Sequence, residues 1–247
     1  MRNLDYSIHY ARYHPDSTEH VEQMIDFFTG LLCPMLPTDR QSRIIDIGCG
    51  YGFALLALKR LGFHEVNGID IDLQQAQRAR DYGLNVDFVA DAAQWLEKQA
   101  AQFSVAILCD VLEHVPAGEQ LPLLRSIYER LAVDGRLIVK VPNANSVVAS
   151  RWLYNDFTHH KSFTEYSLRF ILENAGFKEI KFSAGKETIR PSLRLWRKNV
   201  RSGWRASWRF FLVRWFWRQV LKAELPHENL DAASFDLDLI AVAFRRD

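Results

Sequence analysis

From Arg43 onward the chain alternates short apolar runs with stretches whose apolar positions recur every three or four residues, a pattern of strands separated by amphipathic helices. The strand-like runs are Arg43–Ile47, Glu65–Asp70, Val86–Ala90, Ser104–Cys109, Arg136–Pro142, Phe177–Ser183 and Leu237–Phe244. Between the first five, the spacing predicts helices over Gly52–Leu61, Leu73–Tyr82, Ala92–Gln99 and Gly118–Leu131. This predicts an α/β fold: a Rossmann-like, doubly wound, seven-stranded and mostly parallel sheet that ends in an antiparallel edge strand. Thr18–Leu36 reads as a helix able to lie over the site. Ser162–Glu165 reads as a helix start, with Thr164 as cap and Gly176 as stop. The organisation is then a helical cap at 1–40, a core at 41–185, a helical insertion at 186–226 before the last strand, and that closing strand within 227–247.

The insertion departs from the rest in composition. Residues 186–222 hold eleven Lys or Arg against one acid, Glu187, and the segment after Pro191 carries five of the seven tryptophans. Arg197, Arg201, Arg205 and Arg209 recur every four residues beside a stripe of Trp196, Val200, Trp204 and Trp208. One or two amphipathic helices are expected, broken near Gly203 and closed before Pro226. Such a helix can pack on its own domain, form a homodimer, or lie on an anionic membrane surface through Trp196–Lys222. No RNA-binding motif accompanies it, and nucleic acid is not expected as a partner.

The remaining composition narrows the field. Net charge is +1, and 48% of the residues are hydrophobic, enough for a full core. Cys33, Cys49 and Cys109 form neither a disulfide framework nor a CxxC pair, which favours a reducing compartment. The polar start lacks a secretory core, and no window reaches the roughly 18 apolar residues of a membrane span. The expected location is cytoplasmic, with membrane association on the cytoplasmic face.

The most informative segment is DIGCGYG. Asp46 closes an apolar run, and Gly48, Gly50 and Gly52 follow directly ahead of an apolar helix, where glycine lets backbone turn tightly and approach a ligand. A dinucleotide fingerprint wants glycine or alanine three residues after Gly50, where this chain has Phe53, and a pyrophosphate would sit near the Asp46 carboxylate. S-adenosyl-L-methionine suits the loop better, because its ammonium can face Asp46 while its carboxylate meets backbone N–H groups. Asp70, ending the second strand, is placed to accept both ribose hydroxyls, although it or Asp72 can instead cap the next helix. Asp91 with the Ala92 N–H can take the adenine, or Asp91 can serve as an N-cap.

IIDIGCGYG, GIDID, ADAAQW, CDVLEHV and GRLIVKVPN, in this order, resemble the successive cofactor-site motifs of class I S-adenosylmethionine-dependent methyltransferases over about Arg43–Asn143. The branch with an LEHV segment includes enzymes of quinone biosynthesis and many that modify sugars. Trp152–Phe177 is similar to a segment of methyltransferases from bacterial surface-polysaccharide pathways. The resemblance implies that Cys49, Ile71, Cys109 and Asp110 join Asp46, Gly48, Gly50, Gly52, Asp70, Asp91 and Ala92 beside the cofactor, with Glu113 and His114 toward the substrate.

A hydroxyl acceptor needs a base, and histidine suits proton removal near neutral pH. His160 is the first choice, His159 the second and His114 the third; an ionised acceptor would need only orientation, by these histidines and Lys161. The sequence shows no recognisable metal-ligand spacing, and no metal is expected. The leading expectation is O-methylation of a glycan or lipid-linked sugar. A quinone-like small molecule is the alternative acceptor, and a non-catalytic methyltransferase-like binding subunit is the rival from another class.

Overall fold

The computed structural model describes residues 6–183, 201–228, 230 and 233–247. Two helices, α1 (Tyr6–Tyr13) and α2 (Thr18–Leu32), precede β1 (Ile44–Ile47) and α3 (Phe53–Arg60). Next come β2 (Val66–Asp70), α4 (Leu73–Asp81), β3 (Val86–Phe88), α5 (Ala92–Glu97), β4 (Phe103–Cys109), α6 (Ala117–Arg130) and β5 (Leu131–Pro142). The chain continues through α7 (Ala149–Asn155), α8 (Glu165–Ala175), β6 (Glu179–Ser183), α9 (Arg201–Glu224) and β7 (Asp238–Phe244).

The strands form one sheet in the order β3-β2-β1-β4-β5-β7-β6. The first five pair in parallel, and β7 runs antiparallel to both β5 and β6. The predicted α/β doubly wound sheet of seven mostly parallel strands is therefore present. Its antiparallel strand, however, is not at the edge. The continuous apolar run Leu239–Ala243 is buried on both faces, so β7 takes an interior place and the half-polar β6 becomes the edge.

Strand alternation sends the two halves of the core to opposite faces. Ile44, Val105, Ile107, Ile138 and Ile240 meet α2, α3 and α4 residues such as Leu32, Leu55 and Ala76. Ile45, Ile47, Leu108, Val139 and Val141 meet α5, α6 and α8 through Leu96, Leu124 and Leu168. The predicted start of α8 is right: Thr164 accepts from the Ser167 N–H at 3.2 Å, Ser167 answers with a bond to the Thr164 N–H, and Gly176 ends the helix at φ 114°.

α9 runs through Gly203 without the expected break and ends before Pro226. Trp196 and Val200, and the side chains of Trp204 and Trp208, lie outside the described residues. From Phe211 on, the helix has two characters. Trp217 donates its indole N–H to the Asn145 carbonyl at 3.0 Å, Arg214 pairs with the buried Asp236, and Arg218 bonds the Ala233 carbonyl. Phe211, Leu212, Trp215 and Phe216 are exposed. Among the described residues, no helix is long and apolar enough to cross a membrane.

Phe163 fastens the segment after β5. It is fully buried, its N–H donates to the Pro142 carbonyl at 3.0 Å, and its carbonyl accepts from the Ala144 N–H at 2.8 Å. Phe163→Ala leaves a cavity and is expected to lower unfolding free energy by about 3–5 kcal/mol. Chemical denaturation checks this, and a loss below about 1 kcal/mol would show that Phe163 does not anchor the segment.

Candidate active site

Sheet order reverses between β1 and β4, and the crevice at the carboxyl ends of these strands is where an open α/β sheet binds ligands. The loop after β1 reaches it in a conformation that glycine makes accessible. Gly48, Gly50 and Gly52 all have positive φ, and a Cβ on Gly50 would lie 2.5 Å from the Tyr10 hydroxyl. Asp70 holds the loop: its carboxylate accepts from the Gly50 N–H at 2.7 Å and the Asp72 N–H at 2.8 Å. Asp72, not Asp70, caps α4, accepting from Gln74 and Gln75. Burial pushes the Asp70 carboxyl above its ordinary value, against the pull of those N–H bonds.

Asp46 is buried at the end of β1, and burial, then the Asp70 charge, raises its carboxyl to about 7. Asp110 follows β4 with φ 55° and binds the Lys140 ammonium at 2.6 and 2.9 Å; Asp238 of β7 holds the same ammonium at 3.0 Å. Burial alone would lower the Lys140 pKa, but the two carboxylates hold it above its ordinary value. Burial raises the thiols of Cys49 and Cys109, which keeps them protonated.

A second polar group gathers Glu113 and His114 after β4 with the 156–159 loop. His114 and His159 meet edge-on with ring centroids 4.5 Å apart. Thr158 donates its hydroxyl to buried Asp156 at 2.6 Å, and the Nδ1 of His114 lies 2.7 Å from that hydroxyl oxygen. The His159 Nδ1 donates to the Trp152 carbonyl at 3.0 Å. Burial, then the neighbouring His159, lowers His114 to about 4, so its ring is neutral near neutral pH. His160 does not join this group. Its side chain is exposed, while its backbone N–H donates to the Glu113 carbonyl at 2.8 Å. The loop thus turns His159 toward His114 and sends His160 to solvent.

A family model described as a methyltransferase domain matches residues 19–181, well over half of the chain. The chain belongs to this methyltransferase family. A ubiquinone biosynthesis O-methyltransferase from Ruegeria pomeroyi is 32% identical over 154 residues, covering 56% of this chain and 60% of that protein. The 27-O-demethylrifamycin SV methyltransferase of Amycolatopsis mediterranei is 30% identical over 132 residues, covering 51% and 47% respectively. The matches thus span about half the length of these relatives. Among solved structures, a SAM-dependent methyltransferase from Archaeoglobus fulgidus shares the fold with TM-score 0.63 and 21% identity, covering 97% of this chain and 100% of that one. Magnesium protoporphyrin IX methyltransferase from Synechocystis, solved with bound SAM, gives TM-score 0.54 and 15% identity, covering 98% and 92%.

S-adenosyl-L-methionine is the cofactor these findings support, and the residues of the methyltransferase fit it. The crevice gathers the acids Asp46, Asp70 and Asp110, a setting for a ligand that carries a sulfonium and an ammonium. Ile71 is 71% exposed beside Asp70, an apolar surface next to the crevice. One expectation needs revision. The N–H groups of Gly48, Cys49, Gly50 and Gly52 all bond within the protein, so a ligand carboxylate would have to find its donors elsewhere, such as the first turn of α3. Asp91 does cap α5, accepting from the Gln94 N–H at 2.9 Å.

The sequence reading missed Tyr10. α1 lays this side chain over the glycine loop against Tyr51, and burial, then Asp70, raises its phenol well above the ordinary value. The Tyr and His positions of the N-terminal segment, Tyr6, His9, Tyr10 and Tyr13, recur at helical spacing and were the available signal.

Asp46 supplies a pH test. Its folded pKa of about 7 lies above an unfolded value of about 4, so the neutral form favours folding. That contribution is complete below about pH 4 and is lost as pH rises through about 7. Asp46→Asn should therefore gain thermal stability relative to the cofactor-free parent from about pH 5 to 8, and a constant gap in melting temperature would refute the assignment.

Proposed function

We propose that the chain transfers the methyl of S-adenosyl-L-methionine to the hydroxyl oxygen of an amphiphilic acceptor, a phenol with an apolar tail. The supporting observation is the group of buried Glu113 with half-buried His114 and His159 beside the acidic crevice, which offers a hydroxyl polar partners in a partly enclosed setting. The Ruegeria relative, named for O-methylation in ubiquinone biosynthesis, favours a phenolic acceptor.

Bound S-adenosylmethionine supplies an activated methyl: the acceptor O–C bond forms as the C–S bond breaks, its electron pair staying on sulfur. When the cofactor is bound, Asp70 would accept the ribose hydroxyls, Ile71, Asp91 and Ala92 would hold the adenine, and Asp46 would hold the ammonium. Lys140 fixes Asp110 at the mouth of β4. The group around Glu113, His114 and His159 aligns the acceptor hydroxyl, whose proton passes to solvent as the O–C bond forms.

The exposed Phe211, Leu212, Trp215 and Phe216 suit the acceptor's apolar tail or the surface of a membrane that holds it. Trp217 anchors α9 to Asn145, just past β5, which sets this face near the acceptor side. A lipid-linked sugar is the second reading, favoured by the exposed Trp152, Tyr154 and Phe157 around the 156–159 loop, on which sugars can stack.

Radiolabelled methyl transfer to a panel of tailed phenols and polyprenyl-linked sugars tests the proposal. Phenol methylation that falls at least about 100-fold in kcat/KM with Asp70→Ala is expected; methylation of amines or carboxylates alone would overturn it. Sedimentation with anionic vesicles should fall several-fold for Trp215→Ser/Phe216→Ser, while Trp217→Ala should mainly lower stability. Equal vesicle binding by parent and double variant would remove the membrane role of this face.

A further inference from the structure

The Glu113, His114 and His159 group has features that a hydrogen-bonding site for a hydroxyl does not require. Oε2 of Glu113 is buried and has no hydrogen-bond partner, a state that leaves a carboxylate oxygen without the donor it normally finds. Glu113 is 1% exposed, so solvent does not fill that role. The ligand-type atoms of the three residues lie within 4.8 Å of one another.

The surrounding hydrogen bonds set the tautomers of both rings. The Thr158 hydroxyl proton is directed to Asp156 Oδ1, so its oxygen accepts from His114 Nδ1–H. The Trp152 carbonyl can only accept, so His159 also carries its proton on Nδ1. Nδ1 of each ring is thereby a donor, which makes Nε2 the ligand-type atom of each; His159 Nε2 also lies 3.9 Å from Asp156 Oδ2. A ring nitrogen that donates to a carbonyl or a carboxylate-linked hydroxyl while its partner nitrogen keeps a lone pair is the outer-shell pattern of metal-binding histidine. Asp156 is itself held by the Thr158 N–H at 2.8 Å and by His9 Nε2 at 3.1 Å.

We infer that Glu113, His114 and His159 form a site for one divalent first-row transition cation, Zn2+ or Mn2+, with open positions facing the acceptor. Two imidazoles and one carboxylate match such ions, and three protein ligands leave room for further oxygen ligands. Tetrahedral bonds of about 2.0–2.1 Å bring ligand atoms to about 3.4 Å apart, so a spread of at most 4.8 Å closes by small side-chain adjustments. The inference rests on the proposed hydroxyl acceptor for its role: the cation polarises that hydroxyl, and its proton leaves to water as the O–C bond forms. The ligands come from two segments 45 residues apart, between Glu113–His114 after β4 and His159 after α7, which explains why no spacing motif announces them.

The test is calorimetry of chelator-treated, full-length protein with Zn2+ and Mn2+, supported by the visible spectrum with Co2+. Binding of one cation per chain is expected, at least about tenfold weaker in His159→Ala and in Glu113→Gln, and unchanged in His160→Ala. Far-UV circular dichroism and S-adenosylmethionine binding confirm that each variant is folded, and His159→Ala, at a partly exposed position, keeps the test valid if Glu113→Gln is not. No stoichiometric cation in the parent, or equal binding by folded parent and His159→Ala, overturns the site. Full phenol methylation by the chelated enzyme overturns the cation while leaving the acceptor reading intact; cation binding without methylation of any hydroxyl does the reverse.

Discussion

The site depends on one carboxylate. Asp70 ends β2, and through its bond to the Gly50 N–H it reaches across to the loop that follows β1. The two strands are in parallel register, with Asp46 opposite Gly68 and Ile47 opposite Ile69, so the loop and the carboxylate arrive at the same level. Gly68 belongs to the same constraint. A Cβ there would meet Leu55 and Cys49 at less than 3 Å, separating β2 from the glycine loop that Asp70 must hold. Cofactor geometry is thus a consequence of strand order and close packing, with glycine where backbone and side chains must approach.

Charge at the carboxyl ends is strongly unbalanced. Asp46, Asp70, Asp110, Glu113 and Asp238 lie at the crevice region, where buried Lys140 pairs with Asp110 and Asp238. Burial raises the carboxyls of Asp46, Asp70 and Glu113, and neighbouring like charges push in the same direction, Asp70 on Asp46 and Asp110 on Glu113. An arrangement so costly to the empty protein is relieved by positive ligands. A ligand with sulfonium and ammonium charges answers the acids near the glycine loop, and a divalent cation answers the Glu113 end.

Most of the sheet was legible because parallel strands buried on both faces read as continuous apolar runs, and helices between them keep a regular period. Asp46, the three glycines and Asp70 were legible for the same reason: they lie at strand ends, where sequence position determines place in the fold. What was not legible depended on contacts between distant segments. The place of β7 between β5 and β6 is a pairing choice that its apolar pattern permits but does not dictate. His159 and His160 are adjacent in sequence, and only the turn after Asp156, built on the Thr158 bonds to its carboxylate, decides which ring points inward. Tyr10 and His9 lie in a segment whose polar look concealed a helical stripe. Lys140 resembled one polar residue in an apolar strand until Asp110 and Asp238 were found on either side of it.

α1 joins the two halves of the site. Tyr10 lies over the glycine loop, while His9, on the same helix, contacts Asp156, which orders the group around His114. One short helix therefore touches both the cofactor loop and the support of the acceptor group. Eight residues form a helix with little stability of its own, so its position comes from these contacts and from the packing of Tyr10 against Tyr51. Tyr10 and His9 thereby tie the glycine loop and Asp156 to one helical segment. The two halves of the site thus share a support, α1, that comes from the segment before the first strand.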